Sequence, residues 1–394
     1  MGAYGYLFAI ALILIFTKLF GIASAKVHLP QVVGALIAGI LLGPSGLGLL
    51  GESDFLLKTS EIGVIMLMFT AGIDTDIAEL KKTGAAAFVI AVLGVFVPIV
   101  FCGAAYFIFF EKGTNFTSFL NCAFVGIVFA ATSVSITVET LTEMGKIKSK
   151  VGATLLSAAI IDDIIGIIVL SVLTGISDKT VSPLLVTLKI LLFFVFTAVV
   201  GFLVYHLFEK IALHHSHNRR IAVWALAFCL LMSYCAERFF GVADITGAYF
   251  AGVILCNLTN MRQYVAKKMT VASYLFFSPI FFAGIGLRTD ISGITLKTLL
   301  FAAVLFIMAT LSKIVGCGFG ARIFKMDKKD SLRIGVGMVA RGEVALMVAQ
   351  KGINSGHISP QILPAIVLCV VLAALITPLL LKLTYKSKPA NSTE

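Results

Sequence analysis

Charged side chains are scarce in this sequence of 394 residues. Aspartate, glutamate, lysine and arginine together make up 13% of the chain, whereas hydrophobic residues make up 59%. Soluble domains carry about one quarter charged residues and close to one half apolar ones. The composition therefore excludes an ordinary soluble domain and predicts a protein that crosses a membrane several times.

Other absences narrow the class further. The alternation of apolar and polar residues that is typical of strands in a membrane barrel is missing. The seven cysteines are scattered and form no Cys-x-x-Cys pair or Cys/His ligand spacing, so we interpret them as small core residues. The first apolar run has no basic segment before it, so we expect it to stay as a helix and not to be cleaved as a signal peptide.

Apolar runs long enough for a membrane-spanning helix, about 17 to 25 residues, recur along the chain. We count thirteen, some of them short or interrupted, which predicts an all-α polytopic membrane protein. Their approximate boundaries are 4–24, 28–47, 57–73, 82–110, 118–142, 150–174, 182–207, 219–238, 243–257, 265–286, 295–323, 330–352 and 358–385.

The basic residues indicate the orientation of the chain. Lysine and arginine collect in cytoplasmic loops of membrane proteins, and most of the 31 in this sequence lie at the alternate segment ends that include Lys81, Lys146 and Lys328. We therefore expect the N-terminus outside, the C-terminus in the cytoplasm and a location in the cytoplasmic membrane. The net charge of +11 then reflects loops beside anionic membrane lipid, and it requires no nucleic-acid partner.

Two motifs occur twice along the chain. "VGALIAGILLGP" at 33–44 is similar to "TGAYFAGVILCN" at 246–257, and "GIDTDI" at 72–77 is similar to "GLRTDI" at 286–291, at nearly the same separation. With thirteen helices, the second pairs with the ninth and the third with the tenth, an odd shift that reverses the direction of equivalent helices. The sequence therefore predicts two inverted repeats, an arrangement in which secondary transporters place substrate near the middle of the membrane.

Extending the repeat pairs "FAATSVSITVETL" at 129–141 with "VARGEVALMVAQ" at 339–350. Matching interruptions of two apolar runs are the best sequence sign of a transport site. Two structural alternatives stay open, in which hydroxyl groups bond to their own helix or an Arg–Glu network braces two helices. The interrupting residues are Thr132, Ser133, Ser135, Arg341, Gly342 and Glu343.

The segment "SAAIIDDIIGIIVLSV" at 157–172 places Asp162 and Asp163 in the middle of an apolar run. A carboxylate at this depth costs about 2.5 to 3.5 kcal/mol on insertion scales, so we expect cationic partners. Successive helical residues point about 100° apart, so the two carboxylates do not face one partner. Lys313, the only lysine well inside a predicted helix, is the natural partner of one and leaves the other for a transported cation.

A proton and an alkali metal ion compete for such a carboxylate. Burial favours its neutral form and a neighbouring cation favours its ionised form, a balance that allows proton exchange near neutral pH. Na⁺ prefers hard oxygen ligands, here carboxylates, hydroxyls and the carbonyls that a broken helix leaves free. The pattern therefore predicts an exchanger of protons and monovalent cations with no cofactor, whereas an inert Asp–Lys pair would explain only one of the two aspartates.

Other classes of function are weaker. A passive channel conflicts with the buried Lys313, whereas a sodium-coupled symporter of organic solutes stays open. An intramembrane aspartyl protease needs two aspartates that face each other, so neighbours on one helix do not predict an enzyme. The cluster His214, His215 and His217, in a loop before the eighth predicted helix, is either a pH sensor or simply solvated. Glu139 and Glu143 either line an entrance or are solvated charges at a helix end.

The segments "ATSVSITVETLTEMGKIKSKVGATLLSAAIIDDIIGIIVL", "LSKIVGCG" and "VARGEVALMVAQKG" together resemble the monovalent cation:proton antiporter 2 family of bacterial Na⁺/H⁺ and K⁺/H⁺ antiporters, over essentially residues 4–385. The resemblance implies a homodimer, crossed discontinuous helices and an elevator-like movement of a core domain. The implied divisions are a dimerisation domain at 1–81 and 219–294, a core ion-transport domain at 82–174 and 295–388, and a connecting helix within 175–218.

The same resemblance assigns roles to residues. Asp163 would be the main ion-binding carboxylate, with Thr132 as a second ligand of the transported Na⁺, and Asp162 would pair with Lys313. Thr132 and Ser133 would lie at the helix crossing, supported there by Arg341 and Glu343. Electroneutral relatives have Asn-Asp where this chain has Asp-Asp, so the chain resembles the electrogenic branch, which exchanges two protons for one Na⁺ or Li⁺. A K⁺/H⁺ antiporter of the same fold is the alternative.

Overall fold

The computed structural model describes residues 4–26, 29–51, 53–75, 77–111, 114–177, 182–215, 219–256, 259–288 and 295–385. Within these ranges the chain forms α-helices joined by short loops, and no β-strand. The helices are α1 (Gly5–Lys26), α2 (Gln31–Leu42), α3 (Asp54–Asp74), α4 (Ile77–Phe110), α5 (Phe116–Val128), α6 (Val134–Glu143), α7 (Lys150–Ser177), α8 (Pro183–His215), α9 (Arg219–Cys235), α10 (Asp244–Leu255), α11 (Thr259–Ala272), α12 (Ser278–Leu287), α13 (Leu296–Ile323), α14 (Lys328–Gly337), α15 (Glu343–Asn354) and α16 (Leu363–Tyr385).

Each of the thirteen predicted ranges contains one of these helices or two in succession. Nine helical stretches in the described part of the chain are long and apolar enough to cross a membrane, and α2, α5 and α10 are shorter apolar helices. The all-α prediction is therefore confirmed, whereas the number of membrane crossings stays a prediction. The second helix is shorter than expected because Pro30 precedes its first turn and Pro44 follows its end.

Two single π-helical turns interrupt the regular helices. Ala236–Phe240 follows α9, and Ser273–Phe277 connects α11 to α12. The hydroxyl oxygens of Ser273 and Ser278 lie 3.0 Å apart in the second of these turns. π turns are rare and often occur at functional sites. Tyr274, which lies in the second turn, is therefore a candidate functional residue.

The helices pack so that α4 lies against both α7 and α13. This arrangement brings Asp162 of α7 and Lys313 of α13 to one place beside α4. Apolar residues of α4, α5, α13, α15 and α16 form one hydrophobic cluster. On the other side of the molecule, α2 packs against α1 and α12, and α3 packs against α10 and α12.

Two glycine pairs bring helix backbones into direct contact. Gly39 of α2 meets Gly286 of α12, and Gly72 of α3 meets Gly252 of α10, so a Cβ atom at any of the four would overlap backbone atoms of the other helix. Gly39 and Gly252 occupy matching positions of the first repeated motif, and Gly72 and Gly286 begin the second. Exchanging the two predicted halves therefore turns the Gly39–Gly286 contact into the Gly252–Gly72 contact. This symmetry supports the repeat.

Candidate functional site

Two pairs of helices are interrupted at the positions that the repeat links. The chain is not helical between the end of α5 at Val128 and the start of α6 at Val134, or between the end of α14 at Gly337 and the start of α15 at Glu343. Each break leaves backbone N–H and C=O groups without helical hydrogen-bond partners. The polar side chains at the breaks can bond to these groups, which favours the interruption. The structure therefore contains the discontinuous helices that the sequence predicted.

The two interruptions cross each other. The backbone N–H of Ser133 donates to the carbonyl oxygen of Ala340 at 2.8 Å, and Thr132 Oγ1 donates to the carbonyl oxygen of Met338 at 3.4 Å. A Cβ atom at Gly342 would lie 2.8 Å from Ser133 Oγ. Thr132 therefore bonds across the crossing and not back to its own helix, and both Thr132 and Ser133 lie where the resemblance implied.

Arg341 holds the carbonyl oxygens at the end of α14. Its Nη1 atom donates to the carbonyls of residues 338–340 at 2.9 to 3.3 Å, and its side chain is almost completely buried. A cation is favourable here because the C-terminal end of a helix carries partial negative charge. Arg341 Nε and Nη2 are buried and have no hydrogen-bond partner within the described residues. The side chain of Glu343 lies outside the described part, so the Arg–Glu network stays a prediction.

Lys313 and Asp162 form a buried ion pair between α13 and α7. Lys313 Nζ lies 3.0 Å from Asp162 Oδ1 and 3.2 Å from Oδ2, and neither side chain has exposed surface. Each charge of this buried pair compensates the other. Removing one partner alone would therefore leave an uncompensated charge in the interior. The predicted pairing of Lys313 with one of the two aspartates is confirmed, and the aspartate is Asp162.

Gly94 of α4 gives this ion pair its space. A Cβ atom at Gly94 would lie 3.1 Å from Asp162 Oδ1 and 3.3 Å from Lys313 Nζ. It would also lie 2.9 Å from the sulfur of Cys317. The sequence did not predict this role of Gly94, because nothing distinguishes it from the other glycines among the 35 in the chain.

Asp163 differs from its neighbour in exposure. Asp162 is 1% exposed, whereas Asp163 is only partly buried, as the rotation of about 100° between successive helical residues requires. Ala159, one turn earlier on α7, lines a small internal cavity together with Thr132 and Met338. Ala159 of α7 and the crossing therefore border the same small cavity.

Larger cavities are lined by residues of α6 and α15, the helices that follow the two interruptions. One of about 410 Å³ and one of about 110 Å³ are both lined by Glu139 of α6 and by Tyr274. A third, of about 340 Å³, lies at the opposite end of α3 and is lined by Glu61 and by Val344, which follows the second interruption. Glu139 of α6 and Val344 of α15 thus border separate cavities.

The sequence left Glu139 open as an entrance residue or a solvated charge. The structure excludes the second possibility, since Glu139 is 4% exposed and its carboxylate accepts a hydrogen bond from the Tyr274 hydroxyl. Tyr274 had no sequence signal, because a π turn does not follow from local composition. His214 and His215 end α8 but their side chains, like the whole of His217, lie outside the described residues.

Comparisons with known proteins extend these observations. The family model described as sodium/hydrogen exchanger, transmembrane, matches residues 9–386. The Na⁺/H⁺-K⁺ antiporter GerN of Bacillus cereus is 37% identical over 387 residues, which are 98% of this chain and 97% of GerN. The Na⁺/H⁺ antiporter of Enterococcus hirae is 34% identical over 389 residues, 97% of this chain and 98% of that protein.

A solved structure shares the fold. The sodium proton antiporter MjNhaP1 from Methanocaldococcus jannaschii aligns with a TM-score of 0.71 over 96% of both chains, at 18% sequence identity. The likeness in fold agrees with the apolar helices in indicating a multi-pass membrane protein. The family resemblance that the sequence suggested is confirmed by the match over nearly its whole length: the chain belongs to the family of transmembrane sodium/hydrogen exchangers.

Proposed function

We propose that the chain is a secondary antiporter that exchanges protons for Na⁺ or Li⁺ across the cytoplasmic membrane. The observation that carries this proposal is the unequal environment of two adjacent carboxylates. Asp162 is fully buried against Lys313, whereas Asp163 is partly exposed on the same helix. In this proposal Asp162 is committed to a cation of the protein, and Asp163 binds the transported ion.

Asp163 is the proposed binding residue. A dehydrated alkali metal ion needs hard oxygen ligands, and the crossing offers the Thr132 hydroxyl and backbone carbonyls close to the cavity that Ala159 lines. A proton on Asp163 removes the charge that would hold the metal ion. Competition at one carboxylate then yields exchange once the site is exposed to the two sides in turn.

Lys313 supplies the second proton in this mechanism. While Na⁺ is absent, Lys313 holds its proton because it is paired with Asp162. Binding of Na⁺ weakens that pair, and Lys313 releases the proton. Two protons then exchange for one Na⁺, so one net positive charge moves inward, which the membrane potential favours by about 2.3 kcal/mol per 100 mV.

The transport movement belongs to the same proposal. A core domain of residues 82–174 and 295–388 moves in an elevator-like way against a dimerisation domain of 1–81 and 219–294, with the helix within 175–218 as the connection. The protein acts as a homodimer in membrane lipid, with its N-terminus outside and its C-terminus in the cytoplasm. The direct backbone contacts at Gly39 and Gly72 support a rigid dimerisation domain.

The cation is the part of the proposal with a specific alternative. GerN is described as a Na⁺/H⁺-K⁺ antiporter, which favours K⁺ as a second candidate substrate. We test both with purified protein in liposomes at controlled voltage, and measure proton movement after addition of Na⁺, Li⁺ or K⁺. Proton movement with Na⁺ or Li⁺ that vanishes in Asp163→Asn supports the proposal, whereas undiminished movement in that variant contradicts it.

A further inference from the structure

Glu139 is a buried carboxylate that the exchange at Asp163 does not use. It lies on α6, about two turns beyond Thr132, and is 4% exposed. Burying an ionised carboxylate is costly unless hydrogen bonds or an opposite charge compensate. Its hydrogen bond comes from the hydroxyl of Tyr274, which stands in the π turn between α11 and α12.

Glu139 and Tyr274 border two cavities. The cavity of about 410 Å³ and the cavity of about 110 Å³ share these two residues in their linings. The charged and titratable groups around Glu139 come from four elements. They are Glu143 on α6, Tyr274 in the π turn, Lys18 of α1 in the first cavity, and Asp74 of α3 in the second.

Two further polar contacts join the same parts of the molecule. Glu143 Oε2 accepts a hydrogen bond from the backbone N–H of Gln31 at 2.7 Å, and so caps the start of α2. Lys148, in the loop after α6, lies 3.0 Å from Asp74 at the end of α3. With Glu139 and Tyr274, three contacts thus connect α6 and its following loop to α2, α3 and the π turn.

These contacts cross the proposed boundary between domains. If the core domain moves as proposed above, α6 must separate from α2, α3 and Tyr274, so each contact must break and form again in every cycle. Of the side chains in these contacts, Glu139 is the most buried at 4% exposed, whereas its partner Tyr274 is 41% exposed. A hydrogen bond to an ionised carboxylate is stronger than one to a neutral carboxyl, so the charge on Glu139 controls how firmly this side is closed.

We propose that Glu139 is a further proton-binding residue of the transport cycle, and that Tyr274 positions it. Resting on the proposed function, this inference adds a second titrating carboxylate, which lines the cavity of about 410 Å³. Ionised Glu139 accepts the Tyr274 hydrogen and keeps this side closed. When Glu139 takes a proton from cavity water, its oxygen loses its charge, the bond weakens and α6 is released; the proton returns to water when the bond forms again.

The test compares two variants in the full-length protein reconstituted in liposomes. Tyr274→Phe removes the hydroxyl and leaves the carboxylate, whereas Glu139→Gln removes the titrating group at nearly constant size. The measurement is the rate of Na⁺-driven proton movement across a series of pH values. Because a hydrogen bond to a charged group is worth about a tenfold or larger change in an equilibrium constant, we expect Tyr274→Phe to move the pH midpoint upward by about one unit.

Glu139→Gln is expected to flatten the same limb of the pH profile, since no group is left to titrate there. Glu139→Asp, which keeps a carboxylate, restores a pH-dependent limb. Tyr234→Phe, at an exposed tyrosine of α9, is the matched control and keeps the wild-type profile. Variants are compared only after each is shown to be monodisperse and stabilised against heat by Na⁺.

Failure of this inference differs from failure of the proposed function. Asp163→Asn, measured in parallel, tests the exchange itself. Wild-type pH profiles in both Glu139→Gln and Tyr274→Phe, together with lost transport in Asp163→Asn, overturn the role of Glu139 and leave the antiport intact. A shifted midpoint in Tyr274→Phe with unchanged Na⁺-induced proton release in detergent supports a role in access and not in ion binding.

Discussion

Lys313 Nζ of α13 lies 3.0 Å from Asp162 Oδ1 of α7, and both side chains are completely inaccessible to solvent. Breaking one member of such a pair leaves a buried charge without compensation, which costs about 3 to 5 kcal/mol. Removing one partner should therefore lower the stability of the protein more than removing both partners together.

The first prediction concerns stability. Asp162→Asn and Lys313→Met should each lower the temperature of unfolding in detergent, and the double variant should recover part of the loss because no lone charge remains. Lys58→Met is the control, since its partner Glu61 and Lys58 itself are largely exposed and exposed pairs contribute little. Additive losses in the double variant would contradict the coupling.

The second prediction separates the two aspartates in function. Asp163→Asn should abolish both Na⁺ binding and Na⁺-driven proton movement, since it removes the carboxylate proposed to bind the ion. Asp162→Asn should reduce Na⁺-induced current more than Na⁺ binding, because it changes the protonation of Lys313 and leaves Asp163 in place. Binding to purified protein and current on a supported membrane are measured on the same preparations. An unchanged current in Asp162→Asn would exclude its part in charge movement.

The third prediction concerns the space beside the ion pair. Gly94→Ala adds a Cβ atom within 3.1 Å of Asp162 Oδ1, and overpacking of this kind costs about 1 to 3 kcal/mol. We expect slower transport and a lower unfolding temperature. Gly84→Ala on the same helix is the matched control, since its Cβ would meet no atom within 4 Å, and Ala is favoured over Gly inside a helix by about 0.5 to 1 kcal/mol.

The fourth prediction addresses the crossing. Thr132→Val removes the hydroxyl that lies 3.4 Å from the Met338 carbonyl, whereas Thr132→Ser keeps it. We expect the valine variant to weaken apparent Na⁺ affinity about two- to tenfold, in line with the loss of one polar contact, and the serine variant to stay close to wild type. Equal affinities in the two variants would remove Thr132 from the set of ligands.

The fifth prediction is a pH dependence of stability. His357, in the loop after α15, stacks on Phe124 with ring centroids 4.6 Å apart, and its Nδ1 lies 3.0 Å from Asn121 Oδ1. Burial lowers the pKa of His357 below its ordinary value of 6.5. The folded state therefore binds protons less readily than the unfolded state, so the contribution to stability is present above pH 6.5 and is lost as pH falls through the lower folded pKa.

Unfolding temperatures of the wild type and of His357→Gln, measured from neutral to acidic pH, check this prediction. The wild type should lose more stability on acidification than the variant, which has no titrating ring. Parallel curves for the two proteins would show that another group is responsible.

The sequence predicted much of the site for identifiable physical reasons. Charges inside apolar runs are rare, so Lys313 was the obvious partner for one aspartate. Paired interruptions indicated a site at Thr132, and the family resemblance implied that this residue lies at a helix crossing. Gly94 and Tyr274 could not be predicted, because their roles depend on which helices meet. The domain divisions, the homodimer and the orientation are not tested by these observations and stay predictions.

The two glycine pairs have a mechanical consequence. At the contacts of Gly39 with Gly286 and of Gly72 with Gly252, no side chains lie between the two helix backbones. The backbones of α2 and α12, and those of α3 and α10, therefore cannot move closer together at these points. We therefore expect these four helices to move together as one unit during transport.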